Sequence, residues 1–145
     1  MIAISRCRWP RGKCLGGSSV LNAMLYIRGN RRDYDRWEAL GNPGWSYADV
    51  LPYFKKAEDI RIRRYKGSPY HGEGGPLSVE HFRYQSPIVK DFLEAAVEMG
   101  YPVRDVNGGR QIGFTRSHAT LRYGLRCSTA KAYLRYPNSS TTHAQ

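Results

Sequence analysis

The sequence predicts a mixed α+β chain, and three features carry that expectation: one segment with full helical periodicity between start and stop signals, two short stretches that alternate like strands, and a glycine-serine turn ahead of an apolar run. The helix is the best defined. Ser86 stands where a cap belongs, Pro87 falls in the first turn and Gly100 marks the stop. Between them Ile88, Val89, Phe92, Leu93, Ala96 and Val97 make a wide apolar stripe, with Lys90, Asp91, Glu94 and Glu98 facing away. Such a helix is expected to pack on a sheet or another helix. The alternating stretches are 76–80 and 114–121.

The remaining elements follow in chain order. Residues 1–9 have no period and read as a loop or a cut end. In PRGKCLGGSSVLNAMLYIRG, residues 10–29, Gly16 and Gly17 permit close backbone approaches and Ser18 or Ser19 can cap a helix over 19–28. That helix would put Leu21, Met24, Leu25 and Arg28 on one side. Asp33 is the expected cap of a short helix reaching Leu40, ended by GNPGW over 41–45. Ser46 and Asp49 resemble a capping box for a helix through Glu58, which Pro52 should kink or restart. Residues 60–75 are basic and aperiodic and read as an exposed excursion, 101–113 as a loop. Ser128 can cap a final helix from Thr129, and the Ser/Thr-rich tail over 137–145 reads as frayed.

Composition narrows the class. With 145 residues, 41% apolar and 24% charged, the chain has the size and balance of one soluble domain, and 15 Gly with 8 Pro make it loop-rich. Its charge of +11 favours an anionic partner through a long-range field. The arginines are nevertheless scattered, and the one dense run, Arg61, Arg63, Arg64 and Lys66, reads as solvated surface rather than a nucleic-acid stripe. Cys7, Cys14 and Cys127 form no disulfide framework, and His71, His81, His118 and His143 have no metal-ligand spacing, so no metal is expected. No stretch approaches the roughly 20 apolar residues of a membrane helix.

Chemistry concentrates at residues 11–25. A dinucleotide carries a charged pyrophosphate and a flat ring system, and it needs backbone amides aimed at anions and backbone close enough to touch the ring. Glycines leading into a helix supply both, because the open amides of a helix N-terminus amount to about half a positive charge. Ser18 and Ser19 add hydroxyl donors, Asn22 an amide, and Arg11 and Lys13 lie just upstream with the right sign for phosphate. Turns of this kind are common and mostly structural, so the turn alone does not specify a ligand.

The longer pattern does more. Gly12-Lys13-Cys14-Leu15-Gly16-Gly17-Ser18-Ser19-Val20-Leu21-Asn22, followed by Tyr26, Gly29 and Asp35, is similar to the first signature of the glucose-methanol-choline (GMC) oxidoreductases. DYDRWEALGNPGWSYADVLPYFKKAED, YHGEGGPLSVE, FLEAAVEMGYPVRDVNGGRQIGF and GLRCSTAKAYL resemble later blocks of that family, in its order, and together the likeness covers nearly all of 9–136. The resemblance implies FAD as cofactor, an alcohol as the small-molecule substrate of the parent enzyme, and hydride transfer from carbon to flavin. By position it implies that Cys14, Gly17, Ser18, Asn22, Ala23, Met24 and Leu25 lie against the flavin, with Ser18 and Asn22 the main side-chain contacts. Met24 and Leu25 fit core packing equally well. Leu21 stands where some relatives carry a flavin-linking histidine, which implies noncovalent flavin.

The likeness also implies what kind of piece this is. Family members begin with a GxGxxG unit for the adenosine half of the cofactor and end with a segment bearing a catalytic histidine, and neither pattern occurs here. The expectation is therefore a fragment of a two-domain FAD-binding and substrate-binding fold, with 10–59 contacting flavin and 60–136 belonging to the substrate-binding region. No residue is assigned as the catalytic base, and the histidines are expected to be surface or hydrogen-bonded groups. Alone, such a chain should be marginally stable, self-associate through apolar patches and hold flavin weakly. Two other readings stand beside it: a basic polyanion-binding module and a noncatalytic remnant of the enzyme fold.

Overall fold

The computed structural model describes residues 8–134, and within them the mixed helix-and-sheet architecture is present. Three helices, α1 (Arg31–Ala39), α2 (Tyr47–Ala57) and α3 (Ile88–Glu98), accompany a small sheet of β1 (Glu58–Ile60), β2 (Leu77–His81) and β3 (His118–Ala119). Strand order is β1-β2-β3, with β1 parallel and β3 antiparallel to the central β2. A second ribbon pairs β4 (Leu121–Arg122) with β5 (Leu125–Arg126), and the described chain ends in a π-helical turn, Ala130–Leu134. No helix among the described residues is long and apolar enough to cross a membrane.

Helix α1 is set by local chemistry, although its cap is Asn30 rather than the expected Asp33. The Asn30 side chain accepts the Arg32 amide, and Asp33, three residues on, reaches back to the Asn30 amide, closing a capping box. Helix α2 has the expected Ser46 cap, its Oγ accepting the Asp49 amide. Pro52 sits inside α2 without ending it. The helix stops at Ala57, one residue short of the expectation, because Glu58 turns into β1 and is fully buried. The two helices meet through Tyr34, which packs edge-on against Trp37 and Phe54.

The segment 60–75 is not simply an exposed excursion. Arg63, Arg64 and Lys66 do face water, but Ile60 and Ile62 form the centre of the core with Val79, flanked by Tyr26 and Tyr65. The loop then returns under α2, and a Cβ on Gly72 would lie 1.9 Å from the Lys55 carbonyl oxygen, so only glycine fits there.

Three other expectations change. The strand expected over 114–121 is reduced to β3 and the first residue of β4, with Phe114 making a lone parallel bridge to Val103. The Ser86 side chain makes no capping bond; its carbonyl instead accepts the Val89 amide as the chain enters α3. On α3 only Ala96 of the apolar stripe is buried, while Ile88, Phe92 and Val97 are exposed. The tail over 137–145, the Met1 end and His143 lie outside the described residues.

Candidate functional site

The glycine-serine turn folds as a single turn of 3-10 helix, Gly17–Val20, and not as the start of a helix over 19–28. From residue 23 the chain runs extended along β3, with Leu25 bridging Ala119. The Tyr26 amide donates to the His118 carbonyl and the Thr120 amide to the Met24 carbonyl, at 2.9 and 2.8 Å. Those bonds use backbone groups that a helix would have paired four residues away, and Met24 takes a left-handed φ of 62° to make the switch. Alternation then replaces helical period: Tyr26 and Arg28 turn inward, while Ala23, Leu25 and Ile27 face out.

The turn itself is tightly specified. Gly16 has φ 93°, and the Cys14 carbonyl accepts the Gly17 amide at 2.8 Å. A Cβ on Gly12 would lie 2.3 Å from the Gly17 carbonyl oxygen, so the strand entering the turn passes too close for any side chain. The Gly12 amide donates to Ser18 Oγ at 3.3 Å, and the Asn22 amide to the Ser18 carbonyl at 2.9 Å. Above Gly17, by contrast, a Cβ would meet nothing within 4 Å.

Two residues with no assigned role hold this ribbon in place. Arg126 Nη1 donates to the carbonyls of Ser19 and Asn22, at 3.1 and 2.9 Å, and to Asn22 Oδ1 at 2.8 Å. Thr129 donates its amide to Ser19 Oγ and its hydroxyl to the Gly16 carbonyl. Nothing local in the sequence marks them, because they lie more than 100 positions from the turn. Asn22 Oδ1 also accepts the Met24 amide at 3.1 Å, leaving its NH2 group as the part that can face a ligand.

All seven sequence-selected residues therefore lie along one ribbon. Cys14, Ser18, Asn22 and Ala23 are exposed, Gly17 and Met24 half-buried, and Leu25 is 56% exposed, which removes Leu25 from the core. Among the described residues the Ser18, Ala23 and Leu25 amides have no acceptor. Arg11 and Lys13 are exposed immediately upstream.

Behind the ribbon lies a buried ionic network that sequence reasoning missed. Arg28 Nη2 donates to Glu58 Oε2 at 2.8 Å, and His71 bridges the two acids, Nδ1 to Glu58 at 3.0 Å and Nε2 to Asp105 at 2.8 Å. Burial alone would pull His71 down, but its hydrogen bonds to Asp105 and Glu58 and their charges outweigh it and raise its pKa to about 9. Two cations thus face two carboxylates. Asn107 joins this cluster to the ribbon, accepting the Arg28 amide at 2.8 Å and contacting His118 Nδ1 at 3.0 Å. His118 is also buried, and burial, with the neighbouring positive groups His81, His71 and Arg64, outweighs Asp105 and lowers it to about 4. Both histidines are hydrogen-bonded groups, as the sequence suggested; their coupling was not visible there.

Residues 3–143 match the family model for GMC oxidoreductase. The chain belongs to the GMC oxidoreductase family. It is 55% identical over 130 residues to a glucose dehydrogenase (FAD, quinone) from Drosophila pseudoobscura pseudoobscura, covering 90% of this chain and 21% of that protein. It is 46% identical over 136 residues to human mitochondrial choline dehydrogenase, covering 93% of this chain and 22% of that protein. Among solved structures, pyridoxine 4-oxidase from Mesorbium loti superposes with a TM-score of 0.79 at 37% identity, over 87% of this chain and 25% of that one. The chain thus spans about a fifth of the length of these curated GMC relatives. Membership supports the oxidoreductase reading over the polyanion-binding module.

Proposed function

We propose that this chain is the flavin-contacting segment of an FAD-dependent GMC oxidoreductase that converts a CH–OH donor to a carbonyl. In the whole enzyme a GxGxxG unit and a histidine-bearing segment would complete a two-domain architecture, with residues 10–59 against the flavin and 60–136 in the substrate-binding region. One observation carries the reading: the exposed ribbon over 17–25 carries amides that are unpaired among the described residues and open space at Gly17, while Arg126 and Thr129 hold the ribbon in place.

That ribbon fits the donor set a dinucleotide requires. Gly17 leaves room for a flat ring or a phosphate to approach the backbone, the Ser18 amide, without an acceptor among the described residues, can donate to an anion, and Arg11 and Lys13 supply positive charge beside it. Asn22 has its oxygen fixed by Arg126 and the Met24 amide, so its NH2 is held ready as a donor. Ala23, Met24 and Leu25 present backbone and small or apolar surface that keeps water from the ring. When bound, FAD supplies the acceptor for the hydride leaving the alcohol carbon. No residue of this chain is assigned the hydroxyl proton; the buried His71 and His118 are held by the ionic network.

Titrating FAD into the isotope-labelled chain and following amide shifts by NMR tests the assignment. Weak, saturable shifts concentrated on residues 16–25 are expected. Shifts centred on residues 61–66, with the turn silent, would remove the turn as the contact.

A further inference from the structure

The flavin ribbon uses Arg11 and Lys13 and leaves most of the +11 charge without a role. Four further arginines converge elsewhere. A cavity of about 380 Å³ lies between the start of α1 and the loop over 104–112, lined by Arg31, Arg32, Arg104 and Arg110 together with Asn30 and Gln111. It shares no lining residue with the ribbon over 12–25, and no Asp or Glu lines it.

The arrangement is built rather than a chance gathering on a basic surface. Asn30 caps α1 through its Oδ1 and donates its Nδ2 to Gln111 Oε1 at 2.7 Å. Gln111 Nε2 in turn donates to the Arg28 and Gly29 carbonyls, both at 3.2 Å, clamping the loop against the helix start. Each acid close by in sequence is committed to another partner. Asp33 accepts the Asn30 amide, Asp35 the Tyr47 amide, and Asp105 holds His71. Among the described residues none of the four guanidinium groups has an ion pair or a side-chain hydrogen bond. Arg31 lies over the Tyr47 ring at 4.9 Å, and Arg104 Nε is buried with no acceptor. Like charges at close quarters repel, and a buried donor without a partner is costly; one oxyanion relieves both.

The geometry points to this cavity as a second, anion-binding site for the phosphate group of a small phosphorylated molecule. A phosphate has the oxygens to accept several guanidinium forks at once, and the N-terminal end of α1 adds the favourable end of its dipole. This inference is independent of the flavin assignment and survives its failure.

The probe is inorganic phosphate, titrated into the full chain by calorimetry at low chloride, with amide shifts recorded in parallel. Saturable one-to-one binding is expected, with shifts at Arg31, Gly109 and Arg110. Combining Arg32→Gln with Arg110→Gln should weaken binding roughly a hundredfold, about tenfold for each charge-assisted hydrogen bond removed. Both side chains are exposed and unpaired among the described residues, so folding should be unchanged by circular dichroism. The control pair Arg83→Gln and Lys90→Gln, exposed and lining neither this cavity nor the adjoining one that shares Arg104 and Arg110, should change affinity by less than about twofold. Unsaturable binding, or equal weakening by both pairs, would show a diffuse field and overturn the site. So would a DNA duplex that displaces phosphate equally well from the parent and the Arg32/Arg110 variant.

Discussion

Replacing Glu58 by Gln tests the buried network with almost no change of shape. The Glu58 side chain is 0% exposed and its carboxylate receives Arg28 Nη2 at 2.8 Å, His71 Nδ1 at 3.0 Å and the Gly72 amide at 2.8 Å. In the parent, two cations, Arg28 and His71, balance two anions, Glu58 and Asp105. The variant leaves a net positive charge buried, and its new NH2 group faces donors rather than acceptors. Removing one member of a buried, hydrogen-bonded pair costs about 3–5 kcal/mol. His71 can shed its proton and recover part of this, so the lower end, about 3 kcal/mol, is the expected loss at neutral pH. Small domains have about 5–15 kcal/mol in total, and with urea slopes of about 1–3 kcal/mol per molar the midpoint should fall by about 1–3 M. Tryptophan fluorescence and far-UV circular dichroism in urea measure it. A midpoint within about 0.3 M of the parent, at equal slope, would refute the claim that this carboxylate neutralises buried cations.

The histidines predict a stability maximum near neutrality. His71, raised from 6.5 to about 9, contributes fully below pH 6.5 and loses that contribution as pH rises through 9. His118, lowered to about 4, contributes fully above pH 6.5 and loses it as pH falls toward 4. Urea midpoints across pH should show both limbs, each about 3 kcal/mol, with His71→Gln flattening the alkaline one and His118→Asn the acid one. At the turn, Gly12→Ala should cost about 2–3 kcal/mol because its Cβ meets the Gly17 carbonyl at 2.3 Å, whereas Gly17→Ala should cost about 1 kcal/mol for its positive φ alone; thermal melts of the pair that came out equal would contradict the close approach. Arg126→Gln should leave the core intact but speed hydrogen exchange at the Asn22 and Met24 amides by roughly tenfold or more, since three acceptors lose their shared donor. Unchanged exchange there would mean that Thr129 suffices to hold the ribbon.

Features whose causes lie within a few residues could be read from the order of amino acids alone. Ser46 caps α2 because its hydroxyl reaches an amide three positions on, and Gly16 and Gly17 mark a turn that needs positive φ. The apolar stripe of α3 and the strand at 77–81 were legible for the same reason, as was the family signature, which is a linear pattern. Whatever depends on distant partners was settled only by the folded arrangement. The residues after the turn hold the apolar spacing of a helix, yet Met24 and Tyr26 pair with Thr120 and His118, and a sheet edge takes up backbone groups as completely as a helix does. The Asn30 side chain, besides capping α1 locally, donates to Gln111 81 positions away. His71 looked isolated because its meaning comes from Glu58 and Asp105, 13 and 34 positions away. Local propensity selects among conformations that are close in energy, and interactions between remote segments, each worth as much as a local one, settle which of them the chain keeps.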